Sequence, residues 1–180
     1  MPSWQKIARR IRVPLGFLFA AAYIYLAHPT ILSIVVGSAI ALPGILIRAL
    51  ASGHVRKNEQ LATSGPYAYT RNPLYFGSII IAAGFAVASR SGWVAAIAIV
   101  ILLVIYVPVI RGEEEFLGAR FPEYAEYSRR VPRLFPRHRA QVGSPEGFSW
   151  HLYWKHREYN AAIGAAVMIV ALILKIHFER

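Results

Sequence analysis

The sequence predicts an all-α integral membrane protein with about five transmembrane helices, and three observations support this fold class. The chain has 180 residues, of which 56% are hydrophobic. Runs without Asp, Glu, Lys or Arg cover residues 13–47, 72–89, 91–110 and 159–174. The formal charge is +11, from 20 Lys and Arg residues against nine Asp and Glu residues. A soluble domain of this length would be less apolar and more evenly charged.

The first run predicts two helices, because its 35 residues are too many for one span and His28-Pro29-Thr30 divides it. The five predicted helices cover about residues 13–27, 30–51, 73–89, 92–110 and 160–178. A helix of about 19 residues is roughly 28 Å long, close to the roughly 30 Å hydrocarbon core. Basic residues before the first run are also typical of a secretory signal peptide, but the second run follows at once, which favours a retained first helix.

The basic residues predict the orientation of the chain. With the N-terminus inside, 17 of the 20 Lys and Arg residues lie inside, and only Arg90, Lys175 and Arg180 lie outside. We therefore expect a cytoplasmic N-terminus and an outside C-terminus. Arginines that flank apolar spans face anionic headgroups, so the partner they predict is the bilayer and not nucleic acid. Residues 1–180 form one predicted membrane domain, with no obligate protein partner evident.

Two inside segments, residues 53–72 and 111–159, are long enough to hold a site. In the second, Glu113–Arg130 is predicted to be an amphipathic helix that Pro132 ends. Its apolar residues recur at three- or four-residue steps: Leu117, Phe121, Tyr124, Tyr127 and Val131. Residues 140–150 are predicted to be a loop. The aromatic residues that follow are typical of a membrane interface: Trp150, Tyr153, Trp154 and Tyr159.

Residues 65–75 form a polar block between two apolar runs. Gly65-Pro66 predicts a turn, and Pro73 suits the first position of the third helix, with Asn72 as its N-cap. The positive end of that helix can receive an anionic group. The alternative is an ordinary helix start with interfacial tyrosines, in which Arg71 contacts lipid phosphate.

Glu113-Glu114-Glu115 forms a second polar block, which holds three of the nine acidic residues at the inside end of the fourth span. A carboxylate near the membrane is costly without a partner. The partners are either Arg111 and Arg120 in plain ion pairs, or a cationic or hydroxyl-rich ligand. The histidines show no spacing typical of a metal site.

Together the two blocks resemble the isoprenylcysteine carboxyl methyltransferase and phospholipid methyltransferase superfamily of integral membrane enzymes. The family pattern is Gly-x-Tyr, Arg-His-Pro-x-Tyr, then Glu-Glu followed by Leu, Phe, paired Tyr and Pro. The matching residues are Gly65-Pro66-Tyr67, Arg71-Asn72-Pro73-Leu74-Tyr75, Glu113-Glu114, Leu117, Phe121, Tyr124, Tyr127 and Val131-Pro132. The resemblance covers about residues 50–136, with the span at 160–178 as an addition.

The resemblance implies a cytoplasmic pocket for S-adenosylmethionine, capped by the amphipathic helix and loop. The implied cofactor contacts are Glu59, Gln60, Leu61, Ala62, Gly65, Tyr67, Arg71, Asn72, Pro73, Leu74, Tyr75, Glu113 and Glu114. Glu114 is also an implied catalytic residue, and Arg111 is nearest to the family's substrate-side arginine, though two positions off. Asn72 stands where the family usually has His, and an amide cannot titrate.

The resemblance therefore implies methyl transfer to a lipophilic or lipid-borne acceptor, as carboxyl O-methylation or amine N-methylation. The alternative function is a non-catalytic lipid-binding scaffold or a small transporter subunit. Few ionisable residues lie within the predicted spans, which counts against a transporter.

Overall fold

The computed structural model describes residues 4–56, 59–137 and 147–179, and these residues form helices and loops without a strand. The helices are α1 Trp4–Leu26, α2 Ile31–Ser52, α3 Pro73–Ser89, α4 Gly92–Ile101, α5 Val107–Arg120, α6 Tyr124–Arg130, α7 Trp150–Lys155 and α8 Tyr159–Phe178. A 3₁₀ turn covers Gly65–Ala68. A π-helical segment, Leu102–Tyr106, joins α4 to α5.

The helices confirm an all-α membrane protein. Three helical stretches are long and apolar enough to cross a bilayer: Ile31–Ser52, Tyr159–Phe178, and Gly92–Arg120, which combines α4, the π-helical segment and α5. Two shorter apolar helices, Pro14–Leu26 and Pro73–Ser89, correspond to the first and third predicted spans. The break predicted at His28-Pro29-Thr30 is present, and Thr30 forms a reciprocal capping box with Ser33 at the start of α2.

Glycines bring α2 and α3 into close contact. A Cβ on Gly37 would overlap the Gly84 carbonyl oxygen, and a Cβ on Gly44 would lie 2.6 Å from the Gly77 carbonyl oxygen. The helices can approach this closely only because these positions lack side chains. Gly164 in α8 differs from these glycines, because a Cβ there would have no neighbouring atom within 4 Å.

The predicted continuous helix over Glu113–Arg130 is wrong. The fourth span runs on as α5 to Arg120, and Phe121 then adopts an extended backbone with φ −122° and ψ 110°. Pro122 follows Phe121, and a residue before proline disfavours the helical conformation. The chain therefore turns before α6 begins at Tyr124.

The turn places the predicted apolar residues in a core rather than on the membrane surface. Phe121, Tyr124, Tyr127 and Val131 form one buried cluster, against which Leu61 packs. Part of the loop predicted at 140–150, residues 140–146, lies outside the described residues. The predicted aromatic cluster is present, as a row of edge-on or tilted ring contacts through Trp150, Tyr153, Trp154 and Tyr159.

We expect Gly84→Ala to destabilise the protein, because the new methyl group would lie 2.7 Å from the Ala41 backbone nitrogen and would overlap the Gly37 carbonyl oxygen. Overpacking of this kind costs about 1–3 kcal/mol. Thermal unfolding of the purified protein in detergent measures the change. Gly164→Ala is the matched control, since its methyl group meets open space and alanine favours a helix. Equal melting temperatures for the two variants would contradict close α2–α3 packing.

Candidate functional site

A cavity of about 480 Å³ lies at the end of the helices where α3 begins and α5 ends. This volume is in the range of small-molecule sites, roughly 300–1,000 Å³. Its walls come from the segment after α2, the 3₁₀ turn, the start of α3, α5 and α6. The lining residues are Val55, Arg56, Gln60, Leu61, Ala62, Tyr67, Arg71, Asn72, Pro73, Leu74, Tyr75, Glu113, Phe116, Leu117, Phe121 and Tyr127.

Ten of the predicted site residues line this cavity, so both polar blocks contribute to one site. They are Gln60, Leu61, Ala62, Tyr67, Arg71, Asn72, Pro73, Leu74, Tyr75 and Glu113. The other four lie elsewhere. Glu59 is exposed, with Lys155 at 3.9 Å, and Gly65 faces a neighbouring pocket with His54. Arg111 is exposed on α5, and Glu114 is buried behind the cavity wall.

Glu114 joins the two blocks. Its side chain accepts a hydrogen bond from Asn72 Nδ2 at 3.1 Å and one from Arg133 Nε at 2.8 Å. Arg71 lies 3.5 Å from the same carboxylate. The partners predicted for the acidic block, Arg111 and Arg120, are not the ones that Glu114 uses. A buried carboxylate needs such charge compensation, and it receives it from Arg71 and Arg133, on opposite sides in the sequence.

Asn72 occupies the N-cap position of α3, as predicted, but its side chain makes no capping bond. The amide nitrogen instead donates to Glu114 and, at 2.9 Å, to the Arg133 carbonyl oxygen. Pro73 follows at the first helical position, where a missing N–H is tolerated. Asn72 therefore fixes the start of α3 against the segment after α6.

Glu113 and Tyr75 form the polar floor of the cavity. The Tyr75 hydroxyl donates to Glu113 Oε1 at 2.9 Å. Tyr67 is buried beside them. Burial, and next the negative charge of Glu113, raise the pKa of the Tyr67 phenol above its usual value. Tyr67 is therefore a neutral hydrogen-bonding group, and Glu113 is the charged group on this side.

Arg71 is the basic group of the cavity wall. Its guanidinium donates to the Tyr124 hydroxyl at 3.2 Å and lies over the Tyr124 ring. Its Nε is buried and is the side-chain donor without a hydrogen-bond partner in the described part of the chain. Such a group is costly unless an acceptor joins it.

Sequence reasoning did not assign Val55, Arg56, Phe116, Leu117, Phe121 and Tyr127 to the cavity wall. For Leu117, Phe121 and Tyr127 a signal existed, because they belong to the three- or four-residue repeat. From the sequence alone, that repeat predicts a continuous amphipathic helix. The turn at Phe121 folds the repeat over the cavity, where the Tyr127 hydroxyl donates to the Tyr67 carbonyl oxygen at 2.8 Å.

An apolar groove of about 440 Å³ lies next to the cavity, between α1, α3 and α4. Its walls are mostly small or aliphatic side chains, including Ala82, Ala83, Ala86, Ala95 and Ala98. Tyr106 lines the groove and contacts Tyr75 edge-on, with ring centroids 5.5 Å apart. Two tyrosine rings thus stand between the polar cavity and the groove.

The fold and site define a helical membrane protein with a mixed polar and apolar cavity at one end of its spans. The sequence model of the phospholipid methyltransferase family matches residues 44–123, a stretch that holds α3, α4, α5 and most of the cavity wall. The predicted resemblance is thereby confirmed for this stretch: residues 44–123 match the phospholipid methyltransferase family, which is consistent with the superfamily of membrane methyltransferases.

Two curated proteins are similar over 82 residues. The cobalt-zinc-cadmium resistance protein CzcN of Cupriavidus metallidurans is 44% identical. The nickel-cobalt-cadmium resistance protein NccN of Alcaligenes xylosoxydans xylosoxydans is 39% identical. In each case the matched segment is 46% of this chain and 38% of the relative, so this chain spans well under half of either relative's length. No solved structure matches the chain.

We expect Tyr127→Phe to lower stability at neutral pH and to reduce the loss of stability in alkali. Without its hydroxyl, the bond to the Tyr67 carbonyl is lost, which costs about 1 kcal/mol. Burial raises the pKa of the Tyr127 phenol, so the folded state keeps this proton above about pH 10, where the unfolded chain loses it. The stabilisation is therefore complete below about pH 10 and falls as the pH rises further.

Denaturant unfolding from about pH 7 to about pH 11 measures this difference. Tyr25→Phe is the matched control, since Tyr25 is exposed. A Tyr127→Phe variant that loses stability above about pH 10 as steeply as the wild type would show that the buried Tyr127 phenol is not responsible.

Proposed function

We propose that the protein is a membrane methyltransferase that binds S-adenosylmethionine in the cavity and acts on a lipophilic or lipid-borne acceptor. The observation that carries the proposal is the joining of Tyr67, Arg71, Asn72, Tyr75 and Glu113 in one cavity within the family-matched region. When bound, S-adenosylmethionine would supply the methyl group of its sulfonium to a nucleophilic atom of the acceptor; the bond from that carbon to sulfur would break, and S-adenosylhomocysteine would leave.

The residues of the cavity fit this cofactor. Glu113 supplies a carboxylate for the ammonium group or the ribose hydroxyls. Arg71, which lines the cavity with a guanidinium, and the start of α3 suit the cofactor's carboxylate. Apolar surface for an adenine ring comes from Leu61, Phe116, Leu117 and Phe121. One cavity thus offers a group for each part of a nucleoside with a charged amino-acid tail.

The apolar groove supports a lipophilic acceptor. It runs between helices in the part of the chain that crosses the bilayer, so an alkyl or isoprenoid chain can enter it from the lipid. The same helix, α3, presents Leu74 and Tyr75 to the cavity and Ile79 and Ala82 to the groove. An acceptor whose tail lies in the groove therefore has its polar end near the Tyr75–Tyr106 contact.

These side chains position the reactants and exclude water. Holding two reactants in line can supply roughly 7–11 kcal/mol of the barrier. Tyr75 and Tyr106 close the cavity against the groove, and Glu113 holds Tyr75 through its hydroxyl. Glu114 acts behind the wall, by holding Asn72 and Arg71 in place. We further propose that the N-terminus and the cavity face the cytoplasm and the C-terminus lies outside, as the basic residues predict.

The printed names of the two relatives concern resistance to cobalt, zinc, cadmium and nickel. Methylation of a membrane component is compatible with such a setting, because it alters the charge or polarity of the bilayer surface. The remaining alternative, a lipid-binding scaffold without catalysis, would use the groove but would need no cofactor in the cavity.

We expect the wild-type protein in detergent to be stabilised by S-adenosylmethionine or S-adenosylhomocysteine, by about 2.7 kcal/mol at about a hundred times the dissociation constant. Glu113→Gln should weaken this binding about tenfold or more, since the charge that meets the ligand is lost. Thermal shift and calorimetric titration measure both effects. Glu126→Gln is the control, because Glu126 forms an exposed pair with Arg130 away from the cavity. Absence of any shift at millimolar cofactor would favour the scaffold.

We expect Ala82→Phe to block the acceptor without affecting the cofactor. The larger side chain fills the groove but lies away from the residues lining the cavity. Transfer of a labelled methyl group into a total lipid extract should fall about tenfold or more, while the cofactor dissociation constant stays unchanged. Ala166→Phe on the exposed side of α8 is the control. Wild-type transfer by Ala82→Phe would show that the acceptor does not use this groove.

A further inference from the structure

An arginine of α2 crosses the beginning of α3. Arg48 Nη1 donates to the Leu74 carbonyl oxygen at 3.2 Å and to the Ser78 hydroxyl. Ser78 also donates to the Leu74 carbonyl, at 2.9 Å. A Cβ on Gly77 would lie 2.7 Å from Arg48 Cγ, so the side chain crosses α3 in the space that Gly77 leaves open.

The carboxylate that holds Arg48 comes from beyond the matched domain. Glu158 Oε1 accepts a hydrogen bond from Arg48 Nε at 2.6 Å, and the side chains of Arg48 and Glu158 are only 24% and 11% exposed. Glu158 lies at the N-cap of α8, well after the family match ends at residue 123. The mostly buried pair therefore joins the C-terminal segment to two helices of the domain.

The backbone conformation just before α8 places the Glu158 side chain beside Arg48. The preceding residue, Arg157, has φ +53°, in the left-handed region that a non-glycine residue adopts only when its surroundings require it. Two further contacts dock the segment on the end of α2: Ser149 N donates to the Gly53 carbonyl at 2.9 Å, and His156 Nδ1 lies 3.0 Å from the Ser52 carbonyl. The segment is thus fixed at several points before Glu158.

The contact points of Arg48 belong to the two cavities. Leu74 lines the cofactor cavity, and Ser78, one helical turn later, lines the apolar groove. Arg48 and Glu158 are also close enough to Tyr67 to shift the pKa of its phenol. After burial and Glu113, Glu158 and Tyr75 raise this pKa, whereas Arg48 lowers it. The pair therefore fixes the turn of α3 at which the polar cavity meets the groove.

We propose that Glu158 is a positioning residue: through Arg48 it holds the Leu74–Ser78 turn of α3, and so aligns the cofactor cavity with the acceptor groove. The proposal rests on the proposed function for the part that concerns transfer. Its structural part, the dependence of α3 on a residue of the C-terminal segment, stands independently.

The test compares Glu158→Gln, Glu158→Asp and a matched control, Glu179→Gln, in the 180-residue chain in detergent. Glu179 pairs with Lys175 at the other end of α8, at 3.4 Å. Three quantities are measured: the dissociation constant of S-adenosylhomocysteine, labelled methyl transfer from S-adenosylmethionine into a total lipid extract, and amide exchange of a peptide covering residues 73–79.

We expect Glu158→Gln to change the dissociation constant by less than about threefold, and to lower transfer per bound cofactor about tenfold or more, because small misplacements are costly for in-line reactions. The rate of amide hydrogen exchange in residues 73–79 should rise. Glu158→Asp keeps the charge and should recover part of both losses, and Glu179→Gln should match the wild type. If Glu158→Gln does not fold, the comparison of Glu158→Asp with Glu179→Gln decides.

The proposal is overturned if both Glu158 variants exchange residues 73–79 at the wild-type rate, or if transfer stays at the wild-type level. It is also overturned if cofactor affinity and transfer fall together in equal measure. A wild-type protein that binds no S-adenosylhomocysteine would refute the proposed function instead, and the exchange data alone would then decide whether Glu158 fixes α3.

Discussion

The site is assembled around one buried carboxylate, whose negative charge must be balanced by nearby basic and hydrogen-bonding groups. Glu114 is 8% exposed, and an isolated charge at that burial would be strongly destabilising. Its hydrogen bonds reach Asn72, 42 residues earlier, and Arg133, 19 residues later. These bonds bring the start of α3 and the segment after α6 to the end of α5. Because the start of α3 and α5 both line the cavity, its shape depends on the charge of a residue that does not line it.

The position of α3 gives the molecule two environments side by side. The first turn of this helix faces polar groups and Glu113, whereas the next turns face a groove of alanines and aliphatic side chains. Its other side is packed against α2 at glycine distances, so the helix cannot shift to widen either space without losing those contacts. Under the proposed function, a rigid wall of this kind suits a reaction between a water-soluble donor and a lipid-borne acceptor, since the donor stays in the polar cavity and the acceptor's tail stays in the apolar groove.

The sequence predicted the spans well, because hydropathy and proline act locally: Pro73 and Ser89 bound the third helix as expected, and the break at His28-Pro29-Thr30 is present. It also predicted that the two polar blocks meet. It did not predict the turn at Phe121, because the repeat of apolar residues continues through this position at helical spacing. In the structure, Pro122 disfavours a helical backbone at Phe121, and the helix ends there. The partners of Glu114 and the Arg48–Glu158 pair depend on tertiary contacts between distant residues, which no local pattern encodes.

Under the proposed function, Asn72 limits which methyl acceptors the site suits, because this residue cannot act as a base. Both hydrogens of its amide group have acceptors, Glu114 and the Arg133 carbonyl, and an amide does not titrate. The position at which the family usually has histidine therefore cannot take a proton here.

Tyr67 is neutral, because burial raises the pKa of its phenol. Glu113 is the carboxylate on the cavity wall; its Oε1 accepts a hydrogen bond from Tyr75, and the proposed function assigns this carboxylate to the cofactor. An acceptor that already carries a negative charge, such as a carboxylate, needs no base, whereas a protonated amine must lose its proton before it can react. The described side chains of this cavity are thus better suited to carboxyl O-methylation than to N-methylation of an ammonium group.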